Sequence, residues 1–273
     1  MNDTIQLTFS DIQPEQQELL IAHLSEAGFD GFEQSDNELK AFIDKAVYDA
    51  AFVNDISQQY HLSFTESTIA AQNWNAVWES NFQPVVVDDF VAVRADFHEP
   101  IKGVEQEIVI TPKMSFGTGH HATTFMMMQE MRRIDFTGKT VFDFGTGTGV
   151  LAILAEKLGA ANILAVDIDE WSIENAQENL ERNDCKRVRI EQADSANVNQ
   201  RFDVILANIN KNVILDNMQT LAGQLEAGGI ILFSGLLKED QPDIQKAAAA
   251  CGLDLNNSLQ KDNWLCMKML APR

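Results

Sequence analysis

The stretch from residue 140 to residue 169, TVFDFGTGTGVLAILAEKLGAANILAVDID, limits what this chain can fold into more than any other. Two short apolar runs, 141–144 and 162–166, flank a glycine-punctuated turn and one helical period, so the segment is predicted to form strand, helix, strand. Gly145, Gly147 and Gly149 stand on alternate residues just past the first strand, where a missing Cβ lets the backbone turn tightly and lets a ligand come close. The second strand ends in Asp167, eighteen residues after Gly149, about where a doubly wound fold places the carboxylate that grips a ribose. A nucleoside-bearing ligand fits such a turn.

A dinucleotide turn, G-x-G-x-x-G, would need glycine at 150, and the chain has Val150. Asp143, two residues before Gly145, would repel a pyrophosphate but suits an ammonium or a sulfonium. The pattern D-F-G-x-G-x-G, with an acid closing the next strand, resembles motifs I and II of class I S-adenosylmethionine-dependent methyltransferases. It makes Asp143, Gly145, Thr146, Gly147 and Asp167 candidate cofactor contacts. An NAD-dependent oxidoreductase would share the strand-helix-strand core, and Val150 argues against it.

At 273 residues the chain can hold one large domain and a small one. No run approaches 18 uninterrupted apolar residues, and the opening MNDTIQLTFSD is neither basic nor followed by a cleavable apolar segment, so a soluble cytoplasmic protein without membrane contact is expected. Cys185, Cys251 and Cys266 are far apart and lack C-x-x-C spacing, which reads as idle thiols and no metal site. The net charge of −21 would repel nucleic-acid backbones and attract basic partners. Up to Thr65, twelve Asp and Glu stand against Lys40 and Lys45 alone, a balance of −10 that puts nearly half the excess in a quarter of the chain.

Residues 5–9 alternate apolar and polar as a half-buried strand does, and residues 11–27 carry apolar positions at helical spacing with Pro14 in the first turn and Gly28 at the stop. Strands at 29–34 and 38–43, a helix at 44–60 and a short strand at 62–65 complete a βαββα-strand order suited to a small ferredoxin-like α+β module. Residues 1–65 are therefore expected to form a first domain, 66–84 a Trp-rich helical linker and 85–273 the ligand-binding domain. In the linker, Trp74, Trp78 and Phe82 recur every four residues and line one helix face, which reads as packing surface.

Residues 116–119, FGTG, are a loop signal, and from Ala122 a helix is predicted whose N-terminus lies near Thr123 and Thr124. Hydroxyls and free N–H groups at a helix start can seat a carboxylate, such as the amino-acid end of S-adenosylmethionine; Thr124 is the candidate, with simple capping as the alternative. His120 and His121 are expected to have no catalytic role, and Met126, Met127 and Met128 to pack.

Beyond Asp169, placed to cap the next helix, strands are expected at 188–190, 202–207 and 230–236, helices at 213–225 and 243–250, and a closing antiparallel pair at 253–259 and 264–270. Gly228 and Gly229 would end the first of those helices. Alternating strands and helices from 140 to 252 demand an α/β doubly wound, mainly parallel sheet with ligands beyond the carboxyl ends of its strands. Gly145, Asp167, Asp194 and Asn208 fall at that edge, with Asp194 placed to reach an adenine amino group.

FGTGHHATT, DFGTGTGVLAI, AVDID and LANI together make the chain resemble the PrmA family, the bacterial ribosomal protein L11 methyltransferases, over essentially its whole length. The resemblance implies a seven-stranded class I methyltransferase sheet, S-adenosyl-L-methionine as cofactor with S-adenosyl-L-homocysteine as product, and no metal. It further implies a basic ribosomal protein as the substrate, methylated on lysine and N-terminal amines and recognised by the acidic N-terminal module. A monomer is expected. Cofactor contacts are implied at Thr124, Gly145, Asp167 and Asn208, with Phe116 in the preceding loop. The implied reaction is in-line displacement of the sulfonium methyl by a neutral amine, and Asn208 is the candidate for orienting that nitrogen. The family pattern Thr-His-Pro-Thr-Thr is here His120-His121-Ala122-Thr123-Thr124, and Ala-Asn-Ile-Leu is Ala207-Asn208-Ile209-Asn210, which puts an extra amide near the acceptor site. A methyltransferase for another protein or a small molecule, or a catalytically silent S-adenosylmethionine-binding module, would fit the same residues.

Overall fold

The computed structural model describes residues 3–69, 83–111 and 121–273, in two units, Met1–Phe82 and Gln83–Arg273. The Trp74, Trp78 and Phe82 stripe, Phe116 and the FGTG loop lie outside the described residues.

In the first unit β1 (Thr4–Ser10), β2 (Gly31–Ser35), β3 (Glu38–Asp44) and β4 (Phe64–Ile69) form a sheet in the order β2-β3-β1-β4, each neighbour antiparallel. Helix α1 (Pro14–Glu26) links β1 to β2 and α2 (Ala50–Gln59) links β3 to β4, so the two crossovers interleave as in a ferredoxin-like module. The alternation in β1 sends Ile5, Leu7 and Phe9 inward against Leu20 and Leu24 of α1 and Val53 and Ile56 of α2. Helix α2 starts later than residue 44. Asp44 Oδ1 accepts the Ala46 N–H at 2.7 Å in a local turn, and Asp49 Oδ1 then takes the Ala51 and Phe52 N–H groups at 2.9 and 3.3 Å, fixing the helix start there. The last strand begins at Phe64 and runs to Ile69, paired with β1 over its whole length.

The second unit opens with a small sheet, β5 (Val85–Val87), β6 (Val91–Ala95) and β7 (Gln106–Ile110), in that order. Helix α3 (Ala122–Met131) follows, then β8 (Thr140–Phe144), α4 (Val150–Lys157), β9 (Asn162–Asp167), α5 (Glu170–Arg182), β10 (Val188–Gln192), β11 (Phe202–Asn208), α6 (Lys211–Gly223) and β12 (Leu225–Leu237). A 3₁₀ turn (Lys238–Asp240), α7 (Gln241–Ala250), β13 (Asp254–Lys261) and β14 (Trp264–Leu270) close the chain. The large sheet has the order β10-β9-β8-β11-β12-β14-β13; β14 runs antiparallel to both its neighbours and the other pairs are parallel.

Strands buried on both faces explain the apolar runs. Phe142, Val166, Ile205, Leu206 and Phe233 are all buried, with Phe142 stacked on Phe202 at 5.0 Å between ring centroids. Strand order reverses between β8 and β11, so the crevice of a doubly wound sheet lies outside the carboxyl ends of those two strands. Asp143, Asp167 and Asn208 reach that edge because their strands run parallel.

Gly228 and Gly229 lie within β12 and do not end a helix. α6 stops at Gly223, and the two glycines pair with the chain's end: Gly228 N–H donates to Pro272 O and Ala271 N–H to Gly229 O, both at 2.9 Å. Among the described residues no helix is long and apolar enough to cross a membrane.

Candidate active site

The glycine turn is closed by strand-end groups on either side of it. Gly145 and Thr146 N–H both donate to Val166 O at 2.9 Å, and Gly147 N–H donates to Asp167 Oδ2 at 2.8 Å. Asp167 Oδ1 takes the Asp169 N–H at 3.1 Å, so one carboxylate spans the turn and the start of α5. Gly145 has φ +80°, and a Cβ there would lie 2.2 Å from Ile209 Cγ2, so only glycine lets the turn pass this side chain. That close approach joins the turn to the end of β11.

Asp143 lies beneath the turn with 1 % of its surface exposed. Its Oδ2 accepts a short hydrogen bond from Thr146 Oγ1 at 2.6 Å, while its Oδ1 has no hydrogen-bond partner among the described residues. Burial pushes its pKa up to about 7; the Thr146 hydroxyl pulls the other way, the nearby Asp167 carboxylate adds to the rise, and the Ala152 N–H opposes it. An anion so placed has no cationic partner among the described residues.

The second half of the site joins α3 to β11. Thr124 is buried, and its Oγ1 accepts from Asn208 Nδ2 at 3.1 Å. Asn208 Oδ1 is also buried and has no hydrogen-bond partner among the described residues. Thr124 does not cap α3. His121 does, its Nδ1 accepting the Thr123 N–H at 3.4 Å while lying 2.8 Å from Thr123 Oγ1. The His121 ring meets Trp264 edge-on at 4.4 Å, and Lys261 Nζ lies 3.5 Å from the Phe125 ring centroid, so both ring contacts lie at the start of α3.

Comparison with known proteins shows the family of the chain. The family model described as ribosomal protein L11 methyltransferase (PrmA) matches residues 6–271. The chain belongs to the ribosomal protein L11 methyltransferase family. It is similar to the ribosomal protein L11 methyltransferase of Porphyromonas gingivalis, at 38 % identity over 92 % of this chain and 89 % of that one. It is also similar to that of Chlorobaculum tepidum, at 39 % over 96 % and 94 %. Among solved structures it resembles the ribosomal protein L11 methylase of Lactobacillus delbrueckii subsp. bulgaricus, with TM-score 0.65 and 28 % identity over 70 % of this chain and 99 % of that one. Membership of this family makes the chain an S-adenosylmethionine-dependent protein methyltransferase.

Within this family member, Asp143, Gly145, Thr146, Gly147 and Asp167 are brought together at one turn, and Thr124 with Asn208 at its neighbour. Asp194 is exposed, one residue beyond Ala193, whose N–H donates to Asp167 O at 2.9 Å. Asn210 serves as a helix cap: its Oδ1 accepts the Val213 N–H at 3.1 Å, which leaves that side of its amide engaged with α6. Sequence reasoning missed Ile168 and Trp171, 68 % and 55 % exposed just after Asp167, and the Trp264 ring beside His121. The apolar Ile168 directly following Asp167 was a usable signal. Trp264, 143 residues from its partner, gave none.

Proposed function

We propose that this chain transfers methyl groups from S-adenosyl-L-methionine to lysine and N-terminal amines of ribosomal protein L11, releasing S-adenosyl-L-homocysteine, without a metal and in the cytoplasm. The observation that carries the cofactor assignment is Asp143: a buried carboxylate with an unpartnered Oδ1 under a glycine turn attracts a cation and repels a pyrophosphate. When bound, the cofactor supplies a sulfonium-borne methyl group and a cationic α-amine.

Asp167 and Asp194 would hold the ribose and adenine ends, and the exposed Ile168 and Trp171 side chains would cover the adenine faces, burying apolar surface that is otherwise in water. Thr124 would meet the amino-acid end, with Phe116 ahead of it in the chain. Asn208 has a different task. A lysine with pKa near 10.4 loses about 4.6 kcal/mol on being neutral at pH 7, about 3.4 units at 1.36 each, and a carboxylate beside it would enlarge that cost. A neutral amide oxygen accepts an amine N–H without doing so. With Nδ2 anchored on Thr124, Asn208 Oδ1 can fix the amine so that its lone pair faces the methyl group. Asn208→Ala is expected to lower kcat about a hundredfold while calorimetry with S-adenosylhomocysteine changes by no more than a few-fold. Unchanged kcat removes Asn208 from this role.

The acidic first unit would draw in the basic substrate, because opposite charge steers encounter. Deleting residues 1–82 is expected to spare binding of S-adenosylhomocysteine and to abolish methylation of the ribosomal protein; cutting at Thr65 would split β4. Undiminished methylation by the truncated protein would refute recognition by this unit. Radiolabelled methyl transfer into purified ribosomal protein L11 tests the reading as a whole, with no incorporation as the result against it.

A further inference from the structure

Helix α5 and the residue that follows it carry asparagine at 175, 179 and 183, one helical repeat apart, so the three side chains share a face. Asparagine is a poor residue for a helix interior, since its amide competes for backbone hydrogen bonds. Here the amides act across to another element. Asn183 Oδ1 accepts the Val109 N–H at 3.0 Å and its Nδ2 donates to Val109 O at 2.7 Å. Asn179 Oδ1 accepts the Thr111 N–H at 2.7 Å, and Asn175 Nδ2 donates to Thr111 O at 3.3 Å. One edge of β7 pairs with β6, and these amides stand on its other edge in place of a neighbouring strand.

Asn179 differs from the other two. Fully buried like Asn175, it alone points its Nδ2 at Thr148 O, 2.9 Å away, between Gly147 and Gly149 of the cofactor turn. Its single amide therefore holds a strand end with its acceptor and the glycine turn with its donor. We propose that Asn179 is a positioning residue that sets the cofactor turn against β7, so that the seat for the S-adenosyl group is fixed from outside the strand-helix-strand unit that carries the glycines. This rests on the methyltransferase reading above. Asn183 makes the same kind of tie to β7, but its Nδ2 is shared between Val109 O and Asn179 O instead of reaching the turn, so it serves as the internal control.

The test compares Asn179→Asp with Asn183→Asp in the full chain. Each keeps an oxygen for its strand N–H and loses a donor; only the first turns an oxygen toward Thr148 O. Titration calorimetry with S-adenosylhomocysteine is expected to give a Kd at least tenfold weaker for Asn179→Asp, about 1.4 kcal/mol, and within twofold of wild type for Asn183→Asp, although both lower the thermal midpoint. KM for S-adenosylmethionine should rise with kcat at saturation retained, a split that a general loss of stability would not produce. Asn179→Ser, which adds no charge, is expected to weaken binding at least threefold and decides the matter if Asn179→Asp does not fold. Equal Kd changes in the two Asp variants, or wild-type Kd in Asn179→Ser, overturn the proposal while wild-type binding leaves the methyltransferase reading standing. Absence of binding by the wild-type chain overturns both.

Discussion

Gly235→Ala is expected to lower kcat for methyl transfer at least a hundredfold, although residue 235 bears no side chain that could touch substrate or cofactor. Gly235 sits in β12 with φ +79°, and a Cβ there would lie 2.2 Å from Ile209 O, 2.7 Å from its carbonyl carbon and 3.0 Å from its nitrogen. All three are backbone atoms, so no rotamer change relieves the overlap and the turn after β11 must move. Ile209 cannot retreat toward the glycine turn, because its Cγ2 already occupies the space a Cβ on Gly145 would need. The displacement therefore passes to Asn208, whose neighbour Ile209 donates its N–H to Ser234 O at 3.2 Å and whose amide is held on Thr124. Misplacing a reacting group by about 1 Å can cost about a hundredfold in rate. Gly252→Ala is the control. It has the same φ of +79° and nothing within 4 Å of where the added methyl would sit, so it carries the left-handed strain of about 1–2 kcal/mol without the collision. Both variants should lose a few degrees of thermal midpoint, and only Gly235→Ala should lose turnover. Equal turnover in the two would mean that the Ile209 clamp does not position Asn208.

The same contrast explains what could be read from the residues alone. The glycine turn was legible because its signal is local: glycines at 145, 147 and 149 and carboxylates at 143 and 167 sit within 25 residues, and the backbone geometry they imply follows from φ/ψ sterics. That the sheet is doubly wound and mainly parallel followed from the alternation of strands and helices, whereas the order of its strands did not. A helix start with a strong cap, such as Asp169 accepting from Ser172 N–H at 3.2 Å, is equally local and equally legible. What escaped was contact between distant segments. Thr124 and Asn208 are 84 residues apart, and their identity as candidates came without the hydrogen bond that joins them. His121 took the capping role that hydroxyl residues usually hold. Gly228 and Gly229 looked like a helix stop because the pairing that employs them involves residues at the far end of the chain. Gly235 and Asn179 carried no local pattern at all, since each acts through a backbone group brought to it only by the completed sheet.

Asp143→Asn is expected to stabilise the cofactor-free protein at about pH 8 and to weaken binding of S-adenosylmethionine tenfold or more. In the folded chain burial raises the Asp143 pKa from 3.8 to about 7. Between those values the folded state keeps a proton that the unfolded chain has released, so stability falls as pH rises through this window, and above about pH 7 the full cost of the buried charge applies. Roughly 3 units correspond to about 4 kcal/mol, an upper figure that Asn, of nearly the same shape, would remove. The gain in thermal midpoint should therefore be largest at about pH 8 and vanish at about pH 4, where both chains carry a neutral group. Cofactor binding runs the other way. A cationic ligand favours the ionised carboxylate, so the wild-type Kd should weaken by up to about tenfold per unit as pH falls below about 7, with proton release on binding, whereas Asp143→Asn should show a flat profile. Thermal melts and titration calorimetry across this range measure both effects. A wild-type Kd independent of pH, or an Asn variant less stable than wild type at about pH 8, would show that the buried Asp143 charge is not what attracts the cation and that the turn gains its selectivity elsewhere.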